Sequence, residues 1–285
     1  MIPSPCKTFG GKGAFQGKLA KWIISLMPPR DQWLHYVEPY FGGGSVLLAN
    51  DPEGISEVVN DLNFDLIVFW RVMSDESVFK EFLRIVQATP FSEDAWNQAG
   101  EPHVLKPNEM SVSAIATAAK FFIRCRQSLS GRMKDFATLS KTRVRRGMNE
   151  QASAWWTAIE GLPEVYERMK RVVIVGPKPA VDVIWENDGP QTLVYADPPY
   201  CHETRSGGKE YGEFEMTAAQ HQELLDLLST LKGKFLLSGY HSKMYDDWAK
   251  QNGFECHEFK IPNNAAGGKQ KKVMTEVIWR NFKCQ

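Results

Sequence analysis

Apolar residues recur along this chain with two different periods, and the alternation between them lays out an α/β protein. Helical spacing runs through Leu19, Trp22, Ile23 and Leu26, and Pro28-Pro29 stops it. His35-Tyr36-Val37-Glu38 then reads as a short strand, Tyr40-Phe41-Gly42-Gly43-Gly44 as a tight turn and Ser45 to Asn50 as a helix start. Ser56-Glu57-Val58-Val59-Asn60 is the next strand. Strand, glycine turn, helix and strand in this order open a nucleotide-binding type of α/β fold.

Helical patterns follow at Phe64 to Met73 and Val78 to Val86. A polar, proline-bearing stretch from Thr89 to Asn108 interrupts them, an Ala-rich helix covers Val112 to Ile123, and Gln127 to Gln151 has no period. Residues 74–151 therefore read as an inserted or mobile subdomain. Regular character returns with a helical stretch over Ala154 to Arg171, a buried strand Val172-Val173-Ile174-Val175 and a short helix Val181 to Glu186. Thr192-Leu193-Val194-Tyr195-Ala196 is a strand, and Cys201 to Phe214 a long loop of the kind that covers sites. Thr217 and Gln220 form a possible capping box for a helix that buries Leu224, Leu225, Leu227, Leu228 and Leu231. Lys234 to Ser238, Phe254 to Lys260 and Val273 to Trp279 close the pattern as strands. Trp155, Trp156, Trp185 and Trp248 are expected to fill core, and His221 to be structural.

The chain of 285 residues is long enough for one large α/β domain with an insertion. No apolar run reaches membrane-spanning length, and the N-terminus lacks a secretory apolar region, so a cytoplasmic location is expected. Five scattered cysteines without a CxxC pair point to neither a zinc site nor a disulfide framework. Net charge is zero, yet Lys120 to Arg146 carries nine basic residues (Lys120, Arg124, Arg126, Arg132, Lys134, Lys141, Arg143, Arg145, Arg146) against the single acid Asp135. A solvated helix face normally mixes signs, so this segment suggests a polyanion, with Arg124, Arg126, Arg132, Lys134, Arg143 and Arg145 as candidate nucleic-acid contacts.

Chemistry concentrates at Asp197-Pro198-Pro199-Tyr200. It follows a strand, and in open α/β sheets ligands bind at the carboxyl ends of strands. The two prolines fix their own φ and restrain the residues before them. The result is a stiff rim with two acceptors, the Asp197 carboxylate and the Pro198 carbonyl, beside an aromatic ring. An exocyclic amine on an aromatic base, with two N–H donors and a π-face, matches that rim. The second cluster is Phe41-Gly42-Gly43-Gly44 with Asp61, 17 residues beyond Gly44. Glycines let backbone approach a ligand, and an acid after the next strand can accept from ribose hydroxyls. Leu47 stands where a GxGxxG pattern needs its third glycine, and no Walker lysine follows, which disfavours a dinucleotide or a nucleoside triphosphate.

Together these elements resemble the Dam-like class of adenine-N6 DNA methyltransferases. Phe9-Gly10-Gly11-Lys12 resembles the N-terminal motif, Glu38-Pro39-Tyr40-Phe41-Gly42-Gly43-Gly44-Ser45-Val46 the S-adenosylmethionine loop, and Asn60-Asp61-Leu62-Asn63 the ribose-binding acidic motif. Asp197-Pro198-Pro199-Tyr200 resembles the catalytic motif, and Leu237-Ser238-Gly239-Tyr240 and Gly267 to Lys272 resemble later segments. The resemblance implies a class I methyltransferase fold: a Rossmann-like, mostly parallel seven-stranded sheet with an antiparallel strand near one edge. It implies a discontinuous catalytic domain, 1–73 and 152–285, around a mainly helical target-recognition subdomain, 74–151.

By the same resemblance Asp197, Pro198, Pro199 and Tyr200 are catalytic. Phe9, Gly10, Gly11, Lys12, Glu38, Pro39, Tyr40, Phe41, Gly42, Gly43, Gly44, Ser45, Asp61 and Asp197 would serve the cofactor, S-adenosylmethionine. No metal is required. The partner is double-stranded DNA, with a flipped adenine, and a monomer is expected. Thr8 stands where many members carry tryptophan, and Gln127 to Arg132 does not reproduce the Asn/Tyr-rich recognition segment of GATC-modifying members. That target is therefore not carried over. The remaining readings are methylation of another amino nitrogen, cytosine N4 or an RNA base, and a non-catalytic DNA-binding protein on this fold.

Overall fold

The computed structural model describes residues 2–6, 12, 17–100, 112–201, 212–262 and 273–283. Its strands are β1 (His35–Glu38), β2 (Ser56–Val59), β3 (Val144–Arg145), β4 (Met148–Asn149), β5 (Val173–Ile174), β6 (Thr192–Ala196), β7 (Lys234–Gly239), β8 (Glu255–Pro262) and β9 (Val273–Arg280). Seven of them form one sheet in the order β5-β2-β1-β6-β7-β9-β8. Pairing is parallel for β1 with β2, β1 with β6 and β6 with β7, and antiparallel for β9 with β7 and β8. The mostly parallel seven-stranded sheet implied by the resemblance is thus present.

The chain divides into two compact units. One comprises residues 22–41, 52–60 and 178–285 and holds β1, β2 and β6 to β9. Its central strand β6 is buried at all five positions, as a parallel strand covered on both faces must be. Strand order reverses at β1, whose neighbours are β2 on one side and β6 on the other. The carboxyl ends of β1 and β6 therefore flank a topological switch point, where such sheets bind ligands. The helix α10 (Ala218–Thr230) has the expected capping box, with the Gln220 N–H donating to Thr217 Oγ1 at 3.3 Å. It buries Leu224, Leu225 and Leu228, while Leu227 and Leu231 are only half-buried. A helix not anticipated from the sequence, α11 (Lys243–Asn252), starts at the Ser242 cap and ends at Gly253 with φ +67°.

The other unit, residues 1–21, 42–51 and 61–177, is mainly helical and holds both the glycine turn and the segment 74–151. The helix α3 (Phe64–Val72) starts at Asn63, whose side chain accepts from the Leu66 N–H. It is apolar nearly all round and accordingly buried. Phe69 at its centre lies 5.9 Å from Phe82 on α4 (Glu76–Ala88) and 5.9 Å from Phe122 on α6 (Val112–Gln127). Truncating a ring so placed costs about 3–5 kcal/mol.

Several sequence expectations change here. The stretch Thr89 to Asn108 contains a helix, α5 (Glu93–Ala99), because Ser92 caps it and Trp96 buries against the unit. The helical stretch Ala154 to Arg171 is built as two helices, α7 (Glu150–Glu160) and α8 (Leu162–Met169), separated at Gly161 and restarted by Pro163 near the new N-terminus. Val173 on β5 is 53% exposed, so that strand is not buried. Trp155 and Trp248 are core, but Trp156 and Trp185 are 39% and 72% exposed. Among the described residues, no helix is long and apolar enough to cross a membrane.

Candidate functional site

The β6 run delivers Asp197 to the carboxyl end of the central strand as a half-buried carboxylate, followed by buried Pro198 and Tyr200. Tyr200 is 7% exposed. Its hydroxyl reaches two carboxylates, Asp197 Oδ1 at 3.2 Å and Glu276 Oε1. Glu276 arrives from β9, which is antiparallel, so its early residues lie at the end of the sheet where β6 and β7 finish. The Tyr240 ring meets Tyr200 edge-on, with centroids 4.6 Å apart. Burial first, then the Asp197 and Glu276 charges, hold the Tyr200 phenol well above its usual range, so it stays protonated. Behind it the Tyr195 and Ser238 hydroxyls pair at 2.9 Å. Gly239 ends β7 at a position without room for a side chain, since a Cβ there would stand 2.9 Å from the Trp279 ring.

At the end of β1, the Tyr36 hydroxyl donates to Glu38 Oε1 at 2.6 Å, two residues along on one face of the strand. Both are buried, and burial followed by the Glu38 charge pushes the Tyr36 phenol well up. Asn60 donates to the Pro39 carbonyl at 3.0 Å and binds Lys178 through its N–H and C=O, which fixes the chain just after β1.

In the helical unit, Gly42 and Gly44 have φ of +50° and +66°, in the left-handed region where a side chain is strained. Asp61 closes this turn. Its Oδ2 accepts from the Gly42 N–H at 2.8 Å and its Oδ1 from the Asn63 N–H at 2.9 Å. Trp70 Nε1 donates to the Gly42 carbonyl at 3.0 Å, and Ser4 Oγ to the Gly43 carbonyl at 2.5 Å. Burial raises the Asp61 carboxyl, against the N–H groups of Asn63, Gly42 and Leu62, which pull it down. A carboxylate offers about four lone-pair positions, more than those donors fill. Leu62, next in the chain, is 54% exposed. Lys12 is buried, and Phe9, Gly10 and Gly11 lie outside the described residues.

The basic segment separates into inner and outer residues. Arg124 is buried, with its guanidinium 3.6 Å from the Trp96 ring centroid and donating to the Met133 carbonyl at 2.6 Å. That places it in the packing of α5 on α6 rather than at the surface. Arg126 is half-buried, and burial pulls its guanidinium below its usual value. Arg132, Lys134, Arg143 and Arg145 are exposed. β3 and β4 form a hairpin whose two central residues, Arg146 and Gly147, both have positive φ, as a type I′ turn requires. Arg126, Arg143, Arg145 and Arg146 line a cleft of about 540 Å³ with Glu150 and Thr157. Arg143 and Arg145 each lie 3.5 Å from Glu150, and Arg146 pairs with Glu160 at 2.8 Å.

Glu276 does not stand out in the sequence. Its only local signal is one acid inside the otherwise apolar alternation of Val277, Ile278 and Trp279. Among the described residues, no cluster of His, Cys, Asp and Glu has the makings of a metal site.

No curated protein matches the chain. A family model, D12 class N6 adenine-specific DNA methyltransferase, matches residues 10–263, a span that takes in the glycine turn, Asp61 and the Asp197 rim. The chain therefore belongs to the D12 class N6 adenine-specific DNA methyltransferase family and is an enzyme of that type.

Proposed function

We propose that the protein transfers a methyl group from S-adenosylmethionine to N6 of an adenine flipped out of duplex DNA. The observation that carries this reading is the rim Asp197-Pro198-Pro199-Tyr200 at the end of β6, beside the sheet's switch point. The residues suit the cofactor. Two left-handed glycines leave the turn without side chains, and Asp61 keeps acceptor capacity for hydroxyl donors. Glu38 would serve at the end of β1, and the exposed apolar face of Leu62 suits a planar ring. Phe9, Gly10, Gly11, Lys12, Pro39, Tyr40, Phe41, Gly43 and Ser45 are assigned to the same role by motif. When bound, S-adenosylmethionine supplies an electrophilic methyl group.

The chain's own task is to make a poor nucleophile attack. The N6 lone pair of adenine is delocalised into its ring. Asp197 and the Pro198 carbonyl accept the two N6 hydrogens, which favours a pyramidal nitrogen and frees the lone pair, an orientational and electrostatic effect. The proton leaves after transfer, so Asp197 need not be a strong base. The target atom lies inside the base stack, so the nucleotide is extruded to reach the rim. Residues 74–151 act as the target-recognition part. Arg126, Arg132, Lys134, Arg143 and Arg145 meet phosphates or guanine edges there, while Arg124 braces the helices beneath them.

The test is methyl transfer from labelled S-adenosylmethionine to unmethylated duplex DNA, with nucleoside mass analysis and Asp197→Ala as control. N6-methyladenine from the wild type alone is expected. N4-methylcytosine, or label in RNA only, would move the reading to another acceptor. Tight cofactor binding without transfer would leave a binding protein.

A further inference from the structure

Two acids of α7 meet all three arginines of the hairpin. Glu150 opens the helix and turns one oxygen toward each of two arginines, Oε2 to Arg143 Nη1 at 3.5 Å and Oε1 to Arg145 Nη2 at 3.5 Å. Its side chain is 19% exposed, while both arginines are exposed. Glu160 closes the same helix and takes Arg146 in a two-pronged pair, 2.8 Å on each oxygen. A carboxylate held this way presents what a phosphate presents, two charged oxygens to planar donor forks. The floor of the cleft has no such partner. Among the described residues, nothing accepts from the buried Arg126 Nε, and its Nη2 donates to a neutral group, the Ala154 carbonyl, at 3.2 Å. Burial pulls this guanidinium below its usual value, and no carboxylate offsets that pull. A charge taken out of water without a counter-charge is costly, and an anion entering the cleft supplies one.

We propose that this cleft of about 540 Å³ seats one phosphate of the DNA backbone, with Arg126 at its floor and Arg146 as a further ligand, and that Glu150 and Glu160 hold its arginines until the phosphate displaces them. The inference rests on the functional reading above and adds Arg146 and the two acids to it. Displacement exchanges one ion pair for another: the arginines keep a charged partner throughout, and the acids are released to water. Glu150 and Glu160 therefore compete with DNA. Because the pairs they make are solvent-screened, the competition is modest and fades as salt is added.

Removing a competitor raises affinity, a gain that misfolding does not imitate. Glu150→Gln should tighten binding to any duplex about three- to ten-fold at low salt, read by fluorescence anisotropy, and the gain should shrink at higher salt. Glu81→Gln is the control. It too removes an acid paired with an arginine, Arg84 at 2.6 Å, and it changes net charge equally. A gain from Glu150→Gln no larger than the control's overturns the proposal, since overall charge then explains it. Adding Arg143→Ala and Arg145→Ala should abolish the gain, because Glu150 acts through those side chains. Glu160→Gln should give a smaller gain that Arg146→Ala abolishes. Gains that survive loss of the arginines overturn the proposal. Arg126→Gln should lower the slope of log affinity against log salt by about one, and an unchanged slope removes Arg126 from the seat and overturns the proposal. Methyl transfer by a wild type whose Glu150 variant gains nothing sinks this inference alone. Tighter duplex binding by Glu150→Gln, with no methyl transfer, would instead sink the functional reading.

Discussion

Tyr200 and Arg145 both stand in segments assigned to the substrate, yet they are held in opposite ways. Tyr200 is 7% exposed, and its hydroxyl sits between two carboxylates delivered by β6 and β9. The Arg145 side chain is 71% exposed, on a two-residue strand, and its guanidinium lies 3.5 Å from Glu150. In the first case the geometry is fixed before any substrate arrives, as a reaction that depends on orientation requires. In the second, weak solvent-screened pairs with Glu150 hold the side chains, and on the proposed function DNA phosphates would take the place of Glu150. On the proposed function, the rim is built for precision and the basic hairpin for exchange of partners.

The sharpest way to break this comparison is at the rim. Asp197→Ala is expected to lower methyl transfer by about a thousand-fold or more, the scale of removing one preorganised group that stabilises a transition state. The protein remains folded, because Asp197 is only half-buried and β6 packs through the residues before it. Circular dichroism beside the transfer assay separates the two effects, and activity surviving within about ten-fold would remove Asp197 from the mechanism. The glycine turn comes next. Gly44→Ala puts a side chain at φ +66°, at a cost of about 1–2 kcal/mol, and should weaken S-adenosylmethionine binding about ten-fold, measured by calorimetry. Unchanged affinity would mean that the cofactor does not use this turn.

The same contrast explains what could be read from the sequence. β6 and the Thr217–Gln220 capping box were legible because each is decided by neighbours along the chain. The rim and the glycine turn were legible because backbone restriction by proline and freedom in glycine are local properties. Glu276 was not, since its meaning comes from Tyr200, 76 residues away. Nor was the burial of Arg124, which depends on Trp96 lying under its guanidinium. Helix α5 was missed because seven residues, mostly polar, carry too little period, and Ser92 was the available sign. Trp156 and Trp185 show that size and apolarity do not assign a side chain to the core.

For the hairpin, charge rather than shape is the test. Arg143→Ala with Arg145→Ala is expected to weaken duplex binding for every sequence. It should also reduce the slope of log affinity against log salt by about two, one for each phosphate that no longer meets an arginine. Fluorescence anisotropy over a salt series checks both. A slope that stays the same, with discrimination between sequences abolished, would make these arginines readers of base edges instead.

The smallest effect sharpens the comparison from the side of the glycine turn, where a fixed carboxylate should announce itself through pH. Asp61 titrates above its ordinary value of 3.8 in the folded protein, because burial outweighs the N–H groups of Asn63, Gly42 and Leu62. A carboxyl raised on folding is protonated more readily in the folded state than in the unfolded one. Its ionisation therefore costs stability. The cost is absent below the unfolded value, grows as pH rises toward the folded value and is complete above it. Wild type should thus gain stability relative to Asp61→Asn as pH falls through the carboxylate range, read from urea melts of both proteins. Hydroxyl donors on a bound cofactor favour the ionised form, so S-adenosylmethionine affinity should drop as pH falls and Asp61 takes up its proton. Asp61→Asn should be weaker at the upper pH and lose that dependence. If both proteins show the same affinity profile, Asp61 only closes the turn through Gly42 and does not touch the cofactor.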